Sequence, residues 1–98
     1  MVKKVIWTPR AKKTFQSIID YLEKEWTEKE IANFVNETNH VISIAAKTPE
    51  AFRKSGKVHI REALITKHNL LIYRVKGEEI YLLTFWTTRK NPKRKRIK

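Results

Sequence analysis

The feature that most constrains this chain is a pair of amphipathic helical patterns that follow one another with no room for a loop. Ala11, Phe15, Ile18, Ile19, Leu22 and Trp26 recur at helical spacing and form one apolar stripe. Thr8-Pro9 marks its start. A threonine at the N-cap accepts a bond from an orphan amide, and a proline at the first helical position lacks the N–H that would go unpaired. Thr27-Glu28-Lys29-Glu30 then has the form of a capping box. It opens a second stripe of Ile31, Phe34, Val35, Val41, Ile42 and Ala45, with Thr38 filling the gap. Thr48-Pro49 closes this helix near Lys47, because a residue before proline avoids the helical region. Two helices joined this tightly read as a helical hairpin, with one apolar side to cover.

The cover is expected from short strands. Val2 to Trp7 reads as an edge or near-edge strand. Glu50 to Lys57 reads as a loop. Val58 to Ile65, Leu70 to Lys76 and Ile80 to Thr88 read as three strands, separated by turns at Lys67-His68-Asn69 and Gly77-Glu78. Consecutive strands with brief turns form an antiparallel meander. The expected fold is therefore a two-layer α+β domain: N-terminal strand, helical hairpin, then a three-stranded antiparallel meander, with the hairpin on one face of a four-stranded sheet. Alternation places Leu71, Tyr73 and Val75 on the helix-packed face. It sets Val58, Ile60 and Leu64 on one side of their strand and His59, Arg61 and Ala63 on the other. On that reading His59, Arg61 and Arg74 line an open basic sheet surface. Trp7 and Trp26 are expected in the core, and Trp86 at the sheet end against a partner. Residues 1–92 are read as one domain and residues 93–98 as a basic tail.

Composition narrows the chemistry. The 98 residues carry a formal net charge of +12. Residues 1–57 hold 11 basic and 7 acidic residues, and residues 58–98 hold 11 basic and 3 acidic. The second part is thus twice as positive as the first, which favours a polyanionic or acidic protein partner. Without cysteine there is no disulfide, no thiol nucleophile and no thiolate metal site, and a cytoplasmic location is expected. No apolar run reaches the ~18–20 residues of a membrane span, and the N-terminus lacks the pattern of a signal peptide. Two isolated glycines, Gly56 and Gly77, cannot make a phosphate-cradling loop. His40, His59 and His68 lack metal-ligand spacing, so neither metal nor cofactor is expected. Glu78 and Glu79 are adjacent and point apart, which argues against paired acid–base work.

Three stretches carry a resemblance. Val5-Ile6-Trp7-Thr8-Pro9 with Ala11, followed by Ile18-Ile19-Asp20-Tyr21-Leu22, resembles the start of toxins of the RelE/ParE superfamily. Leu71-Ile72-Tyr73-Arg74-Val75 with Ile80-Tyr81-Leu82-Leu83 resembles their paired central strands. Phe85-Trp86-Thr87-Thr88-Arg89-Lys90-Asn91-Pro92 resembles the ending of ParE-like members, the plasmid stabilisation proteins. The resemblance implies the toxin of a type II toxin–antitoxin pair, held in a hetero-oligomer by a cognate antitoxin with an acidic C-terminal segment. ParE-like members inhibit DNA gyrase. RelE-like members enter the ribosome and cut mRNA.

The RelE-like machinery maps only in part. Arg61, Arg74 and Arg89 are its catalytic candidates here. Leu70 sits where a third-strand arginine is expected, the last tyrosine is Tyr81, and the last histidine is His68. Cleavage needs a 2′-hydroxyl activated and a leaving oxygen protonated, and arginines supply neither. The ParE-like reading is therefore preferred, with Arg61, Arg74, Trp86, Arg89, Lys90, Lys93 and Arg94 as the target-binding set. The endoribonuclease is the alternative, and a non-toxic basic nucleic-acid-binding module or decayed toxin is a second one.

Overall fold

A computed structural model describes residues 2–87. Strand β1 (Lys4–Trp7) leads into helix α1 (Pro9–Glu25) and helix α2 (Glu28–Lys47). A 3-10 turn (Pro49–Ala51) and a two-residue strand β2 (Arg53–Lys54) follow, then β3 (Ile60–Thr66), β4 (Asn69–Lys76) and β5 (Glu79–Thr87). The caps act as expected. Thr8 Oγ1 accepts from the Ala11 amide at 3.1 Å, and Thr27 Oγ1 from the Glu30 amide at 3.4 Å. Only Trp26 and Thr27 separate the helices, so they form the expected hairpin.

The strands form one sheet in the order β1-β5-β4-β3-β2. β3, β4 and β5 are the antiparallel meander, and β1 lies parallel to β5 at the edge. The sheet has five strands where four were expected. The added one is β2, which lies in the segment read as a loop and pairs Arg53 with Glu62 and Lys54 with Arg61. Two residues carry no alternation, so nothing in the local pattern announces it.

Both helices cover one face. The core joins Ala11, Ile18 and Leu22 of α1, Phe34, Val41 and Ala45 of α2, and Ala63, Leu71, Tyr73, Ile80, Leu82 and Phe85 of the sheet. Thr38 is buried among them and donates its hydroxyl to the Phe34 carbonyl at 2.8 Å, which satisfies the polar atom inside the helix. Trp7 packs against this core, but Trp26 does not: it is the C-cap of α1 and is 45% exposed. Its extended backbone, φ −135° and ψ −175°, takes it out of the helical repeat that builds the stripe.

One irregularity sets the face of the last strand. Ile72 pairs with Thr84 but Tyr73 pairs with Leu82, so Leu83 is an extra residue, a β-bulge. Ile80 and Leu82 point into the core before it, and Phe85 points into the core after it. The Phe85 amide, beyond the end of β1, donates instead to Thr14 Oγ1 of α1 at 2.9 Å. The bulge thereby turns Trp86 outward.

Candidate target-binding surface

The uncovered face of the sheet is built by cross-strand rows. Leu64, Leu70 and Trp86 are register partners across β3, β4 and β5 and share one row. Leu64 is 60% exposed and Trp86 is 41% exposed, so the row is an apolar patch facing solvent. The next row is Glu62, Ile72 and Thr84, and beyond it Ile60, Arg74 and Tyr81. Arg74 is exposed and lies four residues along β4 from Leu70, roughly 13 Å at strand rise. The Tyr81 hydroxyl donates to a Glu79 carboxylate oxygen at 2.7 Å, and that bond to an acceptor raises the phenol above its ordinary value. Arg74 and Trp86 therefore occupy the same face, as a charged and an apolar end of one surface.

Arg61 does not belong to that surface. It pairs with Tyr73, and Ala63 pairs with Leu71, so the face of Arg61 is the helix-packed one. Its guanidinium Nη1 donates to the Phe52 carbonyl at 2.7 Å and to the Glu50 carbonyl at 3.4 Å. The expected open surface of His59, Arg61 and Arg74 is corrected: Arg61 and Arg74 lie on opposite faces. The strand also begins later than Val58. Val58 and His59 lie in a turn closed by the Ile60 amide on the Lys57 carbonyl at 3.2 Å. The sequence reading missed this because alternating Val-His-Ile-Arg reads as strand while the backbone reverses there.

His59 adopts φ +64°, the third residue of a turn with the pattern of type II. That position suits glycine, and a side chain there costs roughly 1–2 kcal/mol. His59→Gly is expected to stabilise the protein by about 0.5–1 kcal/mol, once the added freedom of the unfolded glycine is subtracted. A urea unfolding midpoint that moves down instead would show that the imidazole makes a compensating contact.

Arg89, Lys90, Lys93 and Arg94, and the boundary between residues 92 and 93, lie outside the described residues. Among the described residues no three of His, Asp and Glu come together as a metal-ligand group. No described helix is long and apolar enough to cross a membrane.

The fold defines a class, the small α+β domains with a helical hairpin on one side of a mostly antiparallel sheet. Residues 5–92 match the family described as ParE toxin of type II toxin-antitoxin system, parDE. The chain belongs to this ParE toxin family. No curated protein matches it. Among solved structures it is similar to the chromosomal ParDE system from P. aeruginosa, at 19% identity and a TM-score of 0.74, covering 88% of this chain and 96% of that one. It is also similar to the E. coli toxin RelE, as a mutant in the free state, at 12% identity and TM-score 0.63, covering 93% and 88%. A third is the E. coli DinJ-YafQ toxin-antitoxin complex, at 9% identity and TM-score 0.64, covering 94% and 99%. At such identities these likenesses establish the RelE/ParE-like fold.

Proposed function

We propose that this toxin arrests growth by binding DNA gyrase and halting replication, and that a cognate antitoxin neutralises it. The observation that carries the reading is the separation of Arg61 from Arg74. A ribonuclease of the RelE kind would need these cations to converge on one phosphorane. Arg74 faces solvent, while Arg61 lies on the opposite face and bonds main-chain carbonyls. What remains on one face, Trp86 with Leu64, Leu70 and Arg74, suits binding better than acid–base chemistry. The match of residues 5–92 to the ParE toxin family supports a type II toxin. Two of the similar structures are described as toxin–antitoxin systems, which supports an antitoxin partner. An acidic antitoxin segment suits a chain of net charge +12.

The test is tightly induced expression in bacteria of the wild type, Arg89→Ala, Trp86→Ala and a chain ending at Pro92, at equal soluble levels. The wild type is expected to arrest growth with trapped DNA breaks and intact mRNA. Trp86→Ala is expected to weaken arrest at least tenfold in the expression needed, since a buried interface aromatic typically carries 2 kcal/mol or more. In-frame cleavage of translated mRNA would overturn the gyrase reading in favour of a ribosome-dependent endoribonuclease. Salt-dependent nucleic-acid binding without any arrest would indicate a non-toxic module.

A further inference from the structure

The end of the sheet away from Trp86 holds a second feature that the toxin reading does not use. A cleft of about 530 Å³ opens between the 3-10 turn, β2 and the turn before β3. Lys54, Lys57, His59 and Arg61 all line it, and Glu50 is the one acid among its lining residues. Such a volume lies within the range of small-ligand sites.

Three observations bear on what it takes. Lys54 and Arg61 are direct cross-strand partners, so two like charges share one face. Facing like charges are destabilising. The neighbouring pair, Arg53 and Glu62, forms an ion pair, so only the pair in the cleft is left without compensation from across the ladder. An anion between Lys54 and Arg61 turns that repulsion into attraction. Next, Arg61 is held in place by two carbonyls and needs no further ordering to meet a ligand. Finally, the main-chain amides of Gly56, Val58 and His59 donate to no group among the described residues. Gly56 and His59 both have positive φ, at 100° and 64°. Turns of alternating hand present their amides to anions.

The charge density favours phosphate over carboxylate. A diphosphate concentrates two to three negative charges where a peptide carboxylate brings one. Beside the cations lie Val58, which is 76% exposed, and Val75, an apolar surface suited to a base and ribose. We propose that this cleft binds a nucleoside phosphate, its phosphates among Lys54, Lys57 and Arg61 and its base against the side chains of Val58 and Val75. A free nucleotide and the terminal nucleotide of a strand share this chemistry.

The test uses the purified full chain and calorimetric titration with ADP, with a 5′-phosphorylated single-stranded oligonucleotide and with an acidic peptide. ADP is expected to bind at one site, displaced by inorganic phosphate at higher concentration. Lys54→Gln with Lys57→Gln, both exposed side chains, is expected to weaken ADP about a hundredfold, roughly tenfold for each charged bond lost, at an unchanged unfolding midpoint. The same charge loss outside the cleft, Lys12→Gln with Lys13→Gln, is expected to change it less than about twofold, the order of a screened long-range effect. Binding of the oligonucleotide with the same dependence on Lys54 and Lys57, and none of ADP, would assign the site to strand ends. Equal weakening by both double variants would overturn the proposal by showing a diffuse field, as would absence of binding or binding of the acidic peptide alone. Because the readout is binding to purified protein, it stands or falls apart from growth arrest.

Discussion

Phe34→Ala is expected to cost about 3–5 kcal/mol of stability, the loss usual for a fully buried phenylalanine. For a chain of this length the whole stability is on the order of 5–15 kcal/mol, so the variant is expected to be partly unfolded at growth temperature. The position explains the size of the effect. Phe34 is 1% exposed and stacks on Phe15 with ring centroids 5.3 Å apart. Phe15 in turn meets Phe85 at 5.1 Å and Trp7 at 5.4 Å, and Trp7 lies against Phe85 at 5.5 Å. These four rings join α2, α1, β5 and β1, which are contributed by both ends of the described chain. Removing Phe34 leaves a cavity beneath α2 that rigid neighbouring rings cannot fill. Urea unfolding followed by far-UV circular dichroism measures the loss. A cost below about 1 kcal/mol would mean that the helices relax into the space and that the ring cluster is not the centre of the core.

The second large effect is expected in alkali. The Tyr73 ring is fully buried and its hydroxyl donates to the Pro49 carbonyl at 2.7 Å. Burial pushes its pKa from 10 up to about 12; the nearby Arg61 guanidinium opposes the rise and Glu50 adds to it. A tyrosine whose pKa is higher when folded resists ionisation in the native state. Its contribution is complete below the unfolded value and is lost as pH climbs through the folded one. The wild type is therefore expected to lose about 2–3 kcal/mol between pH 10 and 12 through this residue. Tyr73→Phe is expected to be about 1–2 kcal/mol less stable at neutral pH, because the Pro49 carbonyl loses its donor. Its further decline above pH 10 should be correspondingly smaller. Unfolding of the two proteins at a series of pH values isolates Tyr73 from the lysines and the other tyrosines, which titrate in both. Parallel curves would show that the hydroxyl ionises without disturbing the fold.

Tyr73 also links stability to the surface. Its hydroxyl and the Arg61 guanidinium together hold the segment from Pro49 to Phe52 against the sheet. An alanine at Arg61 would thus disturb this segment as well as remove a charge, and a loss of arrest in such a variant would not by itself identify a target contact. Arg74, on the solvent side, is the better probe of the binding face.

The helices, their caps and their hairpin were legible because each depends on residues three or four apart. So was the meander, through its turns and alternation, and so was the helix-packed face of β4, where Leu71 and Tyr73 are fully buried as expected. The candidate site was legible only in pieces. Arg74 and Trp86 could be named from their strands, but Arg61 was assigned to the wrong face, because adjacent Leu64 and Ile65 are both apolar and alternation alone does not say that the side of Ala63 and Ile65 is the buried one. The outward orientation of Trp86 and the inward one of Phe85 follow from the bulge at Leu83. Simple alternation from Ile80 would have placed them the other way round.

By itself, then, the sequence determined the elements, their order, the two-layer class and the excess positive charge, all of which are encoded within short windows. The tertiary structure decided which strand lies beside which, which face each side chain takes, and which cations meet. β1 pairs with β5 some 75 residues away, Lys4 opposite Glu79. β2 exists only because β3 offers an edge to pair with. Arg61 is turned to the carbonyls of Phe52 and Glu50 by its register against Tyr73. Register, bulges and faces depend on partners distant in the chain, and a one-residue shift in any of them exchanges the buried side for the exposed one.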